Sequence, residues 1–314
     1  MDTSKPSPDF IMEQDAFTRK TYRDVYPAIN PTRPELSQVG KVVVITGASR
    51  GLGRLKHRVI SIQTQNFATS FARANAGAIA LLARDTSKLA ETEKLVREIS
   101  PATKVLSISV DITDEPGVRD AFRQIVGLFG TPHVLINNAG VMGPFKSIFD
   151  EEVDSWWRTQ EMNVRGTLIV TKAFLAATGP EPKTQTTIIN LSSAIAHMLP
   201  PGLSSYSITK LVMTKLATLL SAEHPTITTV SVNPGMVSTD LANSLPMVIQ
   251  SMKDMPELCG GTAVWLASGD KSFLSGRFVD ANWDVEELEA RKEEIQQGNL
   301  LTIGPRGKFG KDRV

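Results

Sequence analysis

Tyr206 and Lys210 stand four residues apart in the stretch Tyr206-Ser207-Ile208-Thr209-Lys210. On a helix that spacing puts both side chains on one face, one turn apart. A phenol is a poor acid or base near neutrality, because its reference pKa is about 10. An ammonium held beside it favours the phenolate and lowers that pKa, which predicts a proton donor and acceptor that works near physiological pH. Ser193 lies thirteen residues before Tyr206, at the end of the apolar run Thr187-Ile188-Ile189-Asn190-Leu191. A strand ending at Ser193 and a helix carrying Tyr206 can aim both hydroxyls at one carbonyl oxygen. Tyr-x-x-x-Lys alone is common by chance; its spacing from Ser192-Ser193 makes the pattern specific.

Such residues need elements that hold them. Val42-Val43-Val44-Ile45 is a continuous apolar run that suits a strand buried on both faces. It leads into Thr46-Gly47-Ala48-Ser49-Arg50-Gly51-Leu52-Gly53. Glycines at 47, 51 and 53 allow a tight turn and close approach to a pyrophosphate at a helix N-terminus. The spacing reads G-x-x-x-G-x-G and departs from the G-x-G-x-x-G pattern. A second strand, Ile79-Ala80-Leu81-Leu82-Ala83, ends in Arg84-Asp85. In dinucleotide folds an acidic residue there grips the 2′-hydroxyl of NAD, and an arginine accommodates the 2′-phosphate of NADP. Arg84, with Arg50 able to reach the same phosphate, favours NADP(H); Asp85 is the counter-argument. Further strands are expected at 105–110, 134–136, 187–191, 227–232 and 278–280. Helices are expected at 68–74, 88–99, 116–129, 151–177, from Tyr206 to about 223, and at 285–297. This alternation implies an α/β fold with a parallel sheet covered on both faces and ligands at the carboxyl ends of its strands.

Three segments follow. Residues 1–40, with Pro27, Pro31 and Pro34, read as an extended arm that Phe17, Tyr22 and Tyr26 pin to the main domain. Residues 41–285 carry the sheet, and 286–314 a charged helix and a loose tail. Of 314 residues, 41% are hydrophobic and 21% charged, ordinary values for a globular protein with a sizeable core. A net charge of +1 favours neither nucleic acid nor an anionic membrane. The single cysteine, Cys259, excludes an internal disulfide framework and points to a reducing, cytoplasmic compartment. The four histidines are scattered, and no metal site is expected. The N-terminus has no secretory apolar region, and no apolar run reaches the roughly 18 residues of a membrane span.

One stretch breaks the pattern. Residues 54–67, RLKHRVISIQTQNF, put cations at the positive end of a helix dipole and carry several β-branched residues. One smooth helix from Gly53 to Ala74 is therefore not expected. The segment is either an insertion that bulges from the first helix or wrongly translated non-coding sequence; the missing helical pattern favours the second.

The ordered set Thr46-Gly47-x-x-x-Gly51-x-Gly53, Asp111, Asn137-Asn138-Ala139-Gly140, Asn163, Ser193, Tyr206-x-x-x-Lys210 and Pro234-Gly235 resembles the classical short-chain dehydrogenase/reductase family over roughly residues 41–285. The resemblance implies a single Rossmann-like, doubly wound domain and nicotinamide-dependent hydride transfer to a carbonyl, or from an alcohol, of a small molecule. It implies Tyr206 as general acid or base and Ser193 as hydrogen-bond partner of the substrate oxygen. Lys210 would hold the nicotinamide ribose and depress the Tyr206 pKa. Asn163 would hold a water that relays protons from Lys210, or else be a helix-interior amide satisfying a carbonyl. Gly47, Arg50, Gly51, Leu52 and Gly53 would line the diphosphate and ribose, Asp111 would contact adenine, and Asn138 the adenosine-side ribose. Asp111 and Asn138 are equally readable as structural caps. Pro234, Gly235 and Thr239 would position nicotinamide. Residues 236–258, with Met236, Met247, Met252 and Met255, would cover a lipophilic substrate, although methionines at such spacing are more often core. The arm and the ANWDVEEL stretch resemble filamentous-fungal members, some of which act in secondary metabolism. The family also implies a homodimer or homotetramer. The competing readings are a non-catalytic binding protein impaired by residues 54–67, and an NAD(H)-preferring enzyme.

Overall fold

Five consecutive buried residues, Val42–Thr46, form β1, the strand from which the sheet grows in both directions. The computed structural model describes residues 10–47, 59–179, 181–237 and 252–305, without the side chains of residues 10, 11 and 59–62. After β1 come α1 (Val59–Arg73), β2 (Ala78–Ala83), α2 (Thr86–Ile99), β3 (Lys104–Ser109), α3 (Glu115–Phe129) and β4 (Val134–Asn137). The second half contains α4 (Val153–Gln160), a π-helical turn (Glu161–Gly166), α5 (Thr167–Thr178), β5 (Thr186–Leu191), α6 (Ser204–Glu223) and β6 (Ile227–Asn233). It closes with α7 (Pro256–Leu266), β7 (Phe278–Asp280), α8 (Val285–Ala290) and α9 (Lys292–Gln297).

The seven strands are ordered β3-β2-β1-β4-β5-β6-β7, and each neighbouring pair is parallel. This is the expected α/β, Rossmann-like, doubly wound sheet. Val43 pairs with Ile79 on one side and Val134 on the other, so the order reverses at β1. That reversal opens a crevice at the carboxyl ends of the strands. The central strands are apolar on both faces because both are covered. On one face Phe67 and Phe71 of α1 pack with Leu258 and Trp265 of α7 and Ile29 of the arm. On the other, Phe122 of α3 and Phe174 of α5 meet edge to face with ring centroids 6.4 Å apart.

The arm packs where the chain ends its sheet. Tyr26 is buried; its hydroxyl donates to Trp283 O at 3.1 Å and accepts from Val285 N at 2.8 Å. The Tyr22 hydroxyl donates to Asp284 Oδ2 at 3.1 Å, and the Phe17 ring lies 5.5 Å from that of Trp283.

Four elements differ from the sequence expectation. Residues 59–67 are helical and continue into the expected 68–74 helix. Burial of Thr64, Phe67, Ala68 and Phe71 against the core overrides the weak local propensity. Residues 54–58 lie outside the described residues, as do Arg50, Gly51, Leu52, Gly53, Thr239 and Met247. The single helix expected at 151–177 is divided by the π-helical turn, and the one at 285–297 is two short helices. Helix α7 was not expected, because Gly260 and Gly261 lower helix propensity in its middle. They serve close packing instead: a Cβ at Gly260 would collide with Ser70 Oγ and lie 2.9 Å from Asn66 O of α1, and one at Gly261 would lie 2.6 Å from Ile29 O.

Gly260→Ala should therefore destabilise the protein by about 1–3 kcal/mol despite improving local helix propensity, because overpacking forces α1 and α7 apart. Thermal unfolding would report a fall in Tm of several degrees; an unchanged Tm would refute the close-packing account.

Candidate active site

The end of β5 and the start of α6 are joined by side chains that the sequence spacing brings together. The Lys210 ammonium donates to Leu191 O at 2.7 Å. Ser192 Oγ donates to Lys210 O at 2.8 Å, and Ser207 Oγ donates to Ile195 O at 2.9 Å. Ser193, in extended backbone between them, accepts from Ile195 N at 3.3 Å and caps the short 3-10 turn Ala194–Ala196. Tyr206 sits in the first turn of α6, partly buried, on the same helix face as Lys210. Ser192 is structural, as its buried hydroxyl bonded to Lys210 and Thr214 requires.

The electrostatics differ from the expectation. The Lys210 nitrogen lies 5.3 Å from the centroid of the Tyr206 ring, over its face, and is anchored on the Leu191 carbonyl. Burial pushes the Tyr206 phenol up to about 12, and the expected depression by Lys210 is not present in this geometry. Burial also lowers Lys210 to about 8. Desolvation moves both groups toward their neutral forms.

Asn163 occupies the π-helical turn. Its Oδ1 accepts from Val141 N at 2.7 Å, and its Nδ2 donates to Val141 O at 2.8 Å and Thr209 Oγ1 at 3.0 Å. The amide thus satisfies a backbone carbonyl, one of the two readings expected of it, and ties the loop after β4 to α6.

The expected cofactor residues that are described fall along one edge of the sheet. Gly47 closes β1 and donates to Leu82 O at 3.0 Å. Arg84, after β2, donates to Asp111 Oδ2, after β3, at 3.1 Å. Asp111 Oδ1 accepts from Thr113 N at 2.9 Å and Thr113 Oγ1 at 2.8 Å. Burial raises the Asp111 carboxyl, but these bonds and the Arg84 charge outweigh it and hold the group below its ordinary value. Asp85 is the N-cap of α2, accepting from Ser87 N at 3.1 Å and Lys88 N at 3.2 Å. Asn138 donates through Nδ2 to Thr46 O at 3.0 Å and Thr64 Oγ1 at 2.9 Å, linking β4, β1 and α1. Its Oδ1 is buried without a partner among the described residues. Pro234 and Gly235 follow β6, and Gly235 has a φ of +86°.

Several residues around this edge escaped the sequence reading. Asp280, at the end of β7, accepts from Asn233 Nδ2 at 2.7 Å and Asn282 N at 2.9 Å beneath the Pro234-Gly235 turn. A charged residue closing an apolar strand was the available signal. Burial raises it to about 7, against the lowering effect of those two bonds, and the charges of Asp254 and Asp15 raise it further. Asp254 and Arg23 form an ion pair at 2.7 Å across 231 residues, for which no local signal exists. Among the described residues no group of three or more His, Cys, Asp and Glu residues could hold a metal, and no helix is long and apolar enough to cross a membrane.

Comparison with known proteins fits this geometry. Residues 41–247 match the family model for short chain dehydrogenase. The Monascus purpureus short chain dehydrogenase mpl6 is 38% identical over 292 residues, covering 90% of this chain and 94% of its own. The short chain dehydrogenase tazN of Aspergillus terreus is 34% identical over 307 residues, covering 94% of this chain and 63% of its own. A crystal structure of a short-chain type dehydrogenase/reductase from Mycobacterium marinum aligns with a TM-score of 0.67 at 26% identity, over 78% of this chain and 94% of that one.

The raised Asp280 pKa has a consequence for stability. The folded state holds this proton more tightly than the unfolded chain, so the Asp280 contribution falls as pH rises from the ordinary value of 3.8 to about 7, and is least favourable above that. Asp280→Asn should remove this component: between pH 8 and pH 6 the wild-type Tm should rise relative to that of the variant. Parallel Tm–pH curves would rule it out.

Proposed function

The chain belongs to the short-chain dehydrogenase family of nicotinamide-dependent oxidoreductases, and on that premise we propose that it is an NADP(H)-dependent carbonyl reductase, or the reverse alcohol dehydrogenase, acting on a small lipophilic molecule. The observation that supports this reading is the junction of β5 and α6, where Lys210 lies over the Tyr206 ring and bonds to Leu191 O, two residues before Ser193. The bound nicotinamide supplies or accepts the hydride. Ser193 holds the substrate oxygen by its hydroxyl, and Tyr206 gives that oxygen a proton as the carbonyl is reduced. A phenol raised to about 12 is held protonated at neutral pH, the form reduction requires. Lys210 places its positive charge beside the ring as the phenolate develops. In the oxidative direction Tyr206 must first lose its proton, and the same charge favours that step.

The sheet edge suits a dinucleotide. Asn138 follows β4 at the carboxyl edge of the sheet, and its Oδ1 is buried without a partner among the described residues, which suits a ribose hydroxyl as donor. NADP(H) is supported by Arg84 at the end of β2 and by the engagement of the Asp85 carboxylate in capping α2, away from the role that would select NAD. A lipophilic substrate is supported by the exposed Phe145, Ile148, Phe149 and Leu199 on the loops after β4 and β5, which Lys146 N joins by donating to Gly202 O at 3.0 Å. Leu168 of α5 and Ile208, Leu211 and Leu219 of α6 are exposed apolar residues that support pairing of two copies through those helices. The similarity to Monascus and Aspergillus proteins supports a place in fungal secondary metabolism.

Titration with NADPH and NADH, followed by a panel of lipophilic carbonyl compounds, tests the assignment. Tyr206→Phe should lower carbonyl-dependent NADPH oxidation by about 10²–10⁴-fold while leaving cofactor binding intact; retained turnover would sink it. Arg84→Ala should raise KM for NADPH sharply and leave that for NADH nearly unchanged; unchanged NADPH kinetics would count against NADP(H). In the wild type the rate of reduction should fall as pH rises through about 8, where Lys210 loses its charge. A flat profile across that range would remove the electrostatic role of Lys210.

A further inference from the structure

The turn after β6 is held by Asp254 and, through it, by the arm. Asp254 N donates to Met236 O at 3.2 Å, and Met236 N donates to Asp254 Oδ2 at 2.6 Å, so Asp254 grips this turn through backbone and side chain together. Val237 and Asp254 also form an isolated parallel bridge. The approach at Gly235 leaves no room for a side chain: a Cβ there would lie 2.7 Å from Asp254 Oδ2 and 3.2 Å from Asn282 Oδ1. The Asp254 side chain is 2% exposed, a burial that a carboxylate tolerates only with a counter-charge. That charge comes from Arg23 of the arm, whose Nη1 is 2.7 Å from Asp254 Oδ1. Arg23 O in turn accepts from Met255 N at 2.7 Å.

Arg23 is placed there by the neighbouring arm residues. Tyr22 N donates to Asn282 O at 2.8 Å, and Asn282 Nδ2 donates to Tyr22 O at 2.7 Å. Thr21 pairs with Trp283 in an antiparallel bridge. The arm is thus bound to the stretch following β7 by a short piece of extended backbone, and from that anchorage the guanidinium reaches the turn after β6.

We propose that Arg23 is a positioning residue for the reaction: through Asp254 it fixes the Pro234–Val237 turn on the nicotinamide side of the crevice, which makes the N-terminal arm a working part of the active site. This rests on the dehydrogenase reading for its effect on catalysis, while the clamp itself is read from contacts alone. The arrangement is a charge-assisted lock, since neither the buried carboxylate nor the turn it holds keeps its geometry without the cation.

The test uses the full chain and four variants: Arg23→Ala, Arg23→Lys, Asp254→Asn and the double Arg23→Ala/Asp254→Asn. Amide hydrogen exchange at Met236 and Asp254 reads the clamp without turnover. Arg23→Ala should speed exchange at both amides by about tenfold or more while β1, β4 and β5 keep wild-type protection. It should raise KM for the cofactor with a smaller change in kcat, and Arg23→Lys should restore part of both. Asp254→Asn should add little in the Arg23→Ala background, because the two residues act as one pair. If Arg23→Ala does not fold, the double variant, with no uncompensated buried charge, must show the same local loss of protection. Unchanged exchange at Met236, or faster exchange spread evenly over the sheet, would overturn the proposal. If the wild type reduces no carbonyl compound, the exchange result still decides the clamp, and the reading of the reaction fails by itself.

Discussion

The candidate active site depends on one buried cation. Lys210 is 7% exposed, and its ammonium rests on the Leu191 carbonyl at the last residue of β5. Removing an ammonium from water is costly, so the chain must supply acceptors and a polarisable neighbour. It supplies the strand-end carbonyl and the face of the Tyr206 ring. This requirement fixes the angle at which α6 leaves the sheet and, with it, where the phenol stands. The hydroxyls of Ser192 and Thr214 continue the same polar seam to Ser231 on β6. A hydrogen-bonded column thus runs behind the reacting face, inside an otherwise apolar interior.

The pair is tuned by burial more than by mutual attraction. A lysine directly bonded to the phenol oxygen would lower its pKa, but here the ammonium lies over the ring and desolvation dominates. The result is a phenol held in its protonated form at neutral pH. The cation beside it loses charge in the range where many enzymes work.

Much of this was legible in the sequence because the central strands are buried on both faces. Val42–Ile45, Ile79–Ala83 and Val134–Ile136 are continuous apolar runs, and the residues that follow them identify the ligand edge. The Tyr206–Lys210 spacing on a helix and Ser193 at a strand end were readable for the same reason: their geometry is local. Residues 59–67 were misread because Phe67 and Phe71 gain their helical conformation from packing on α7, which propensity does not register. Helix α7 was hidden by glycines that are needed for that same packing. The role of Asp85 as a helix cap, the engagement of Asn163 by Val141, and the Arg23–Asp254 pair all depend on which groups meet in space. No spacing rule carries that information.

The arm reaches residues separated from it by up to 274 positions, as in the bond from Arg291 Nη1 to Phe17 O. Contacts of such sequence separation form late, because the chain between them must be ordered before their closure is rewarded. Here Asp15, Thr21, Tyr22 and Tyr26 of the arm pair with residues 282–285, which follow β7. The anchorage from which Arg23 reaches Asp254 is therefore complete only with the last strand of the sheet in place, which ties the turn after β6 to the opposite end of the fold's sequence.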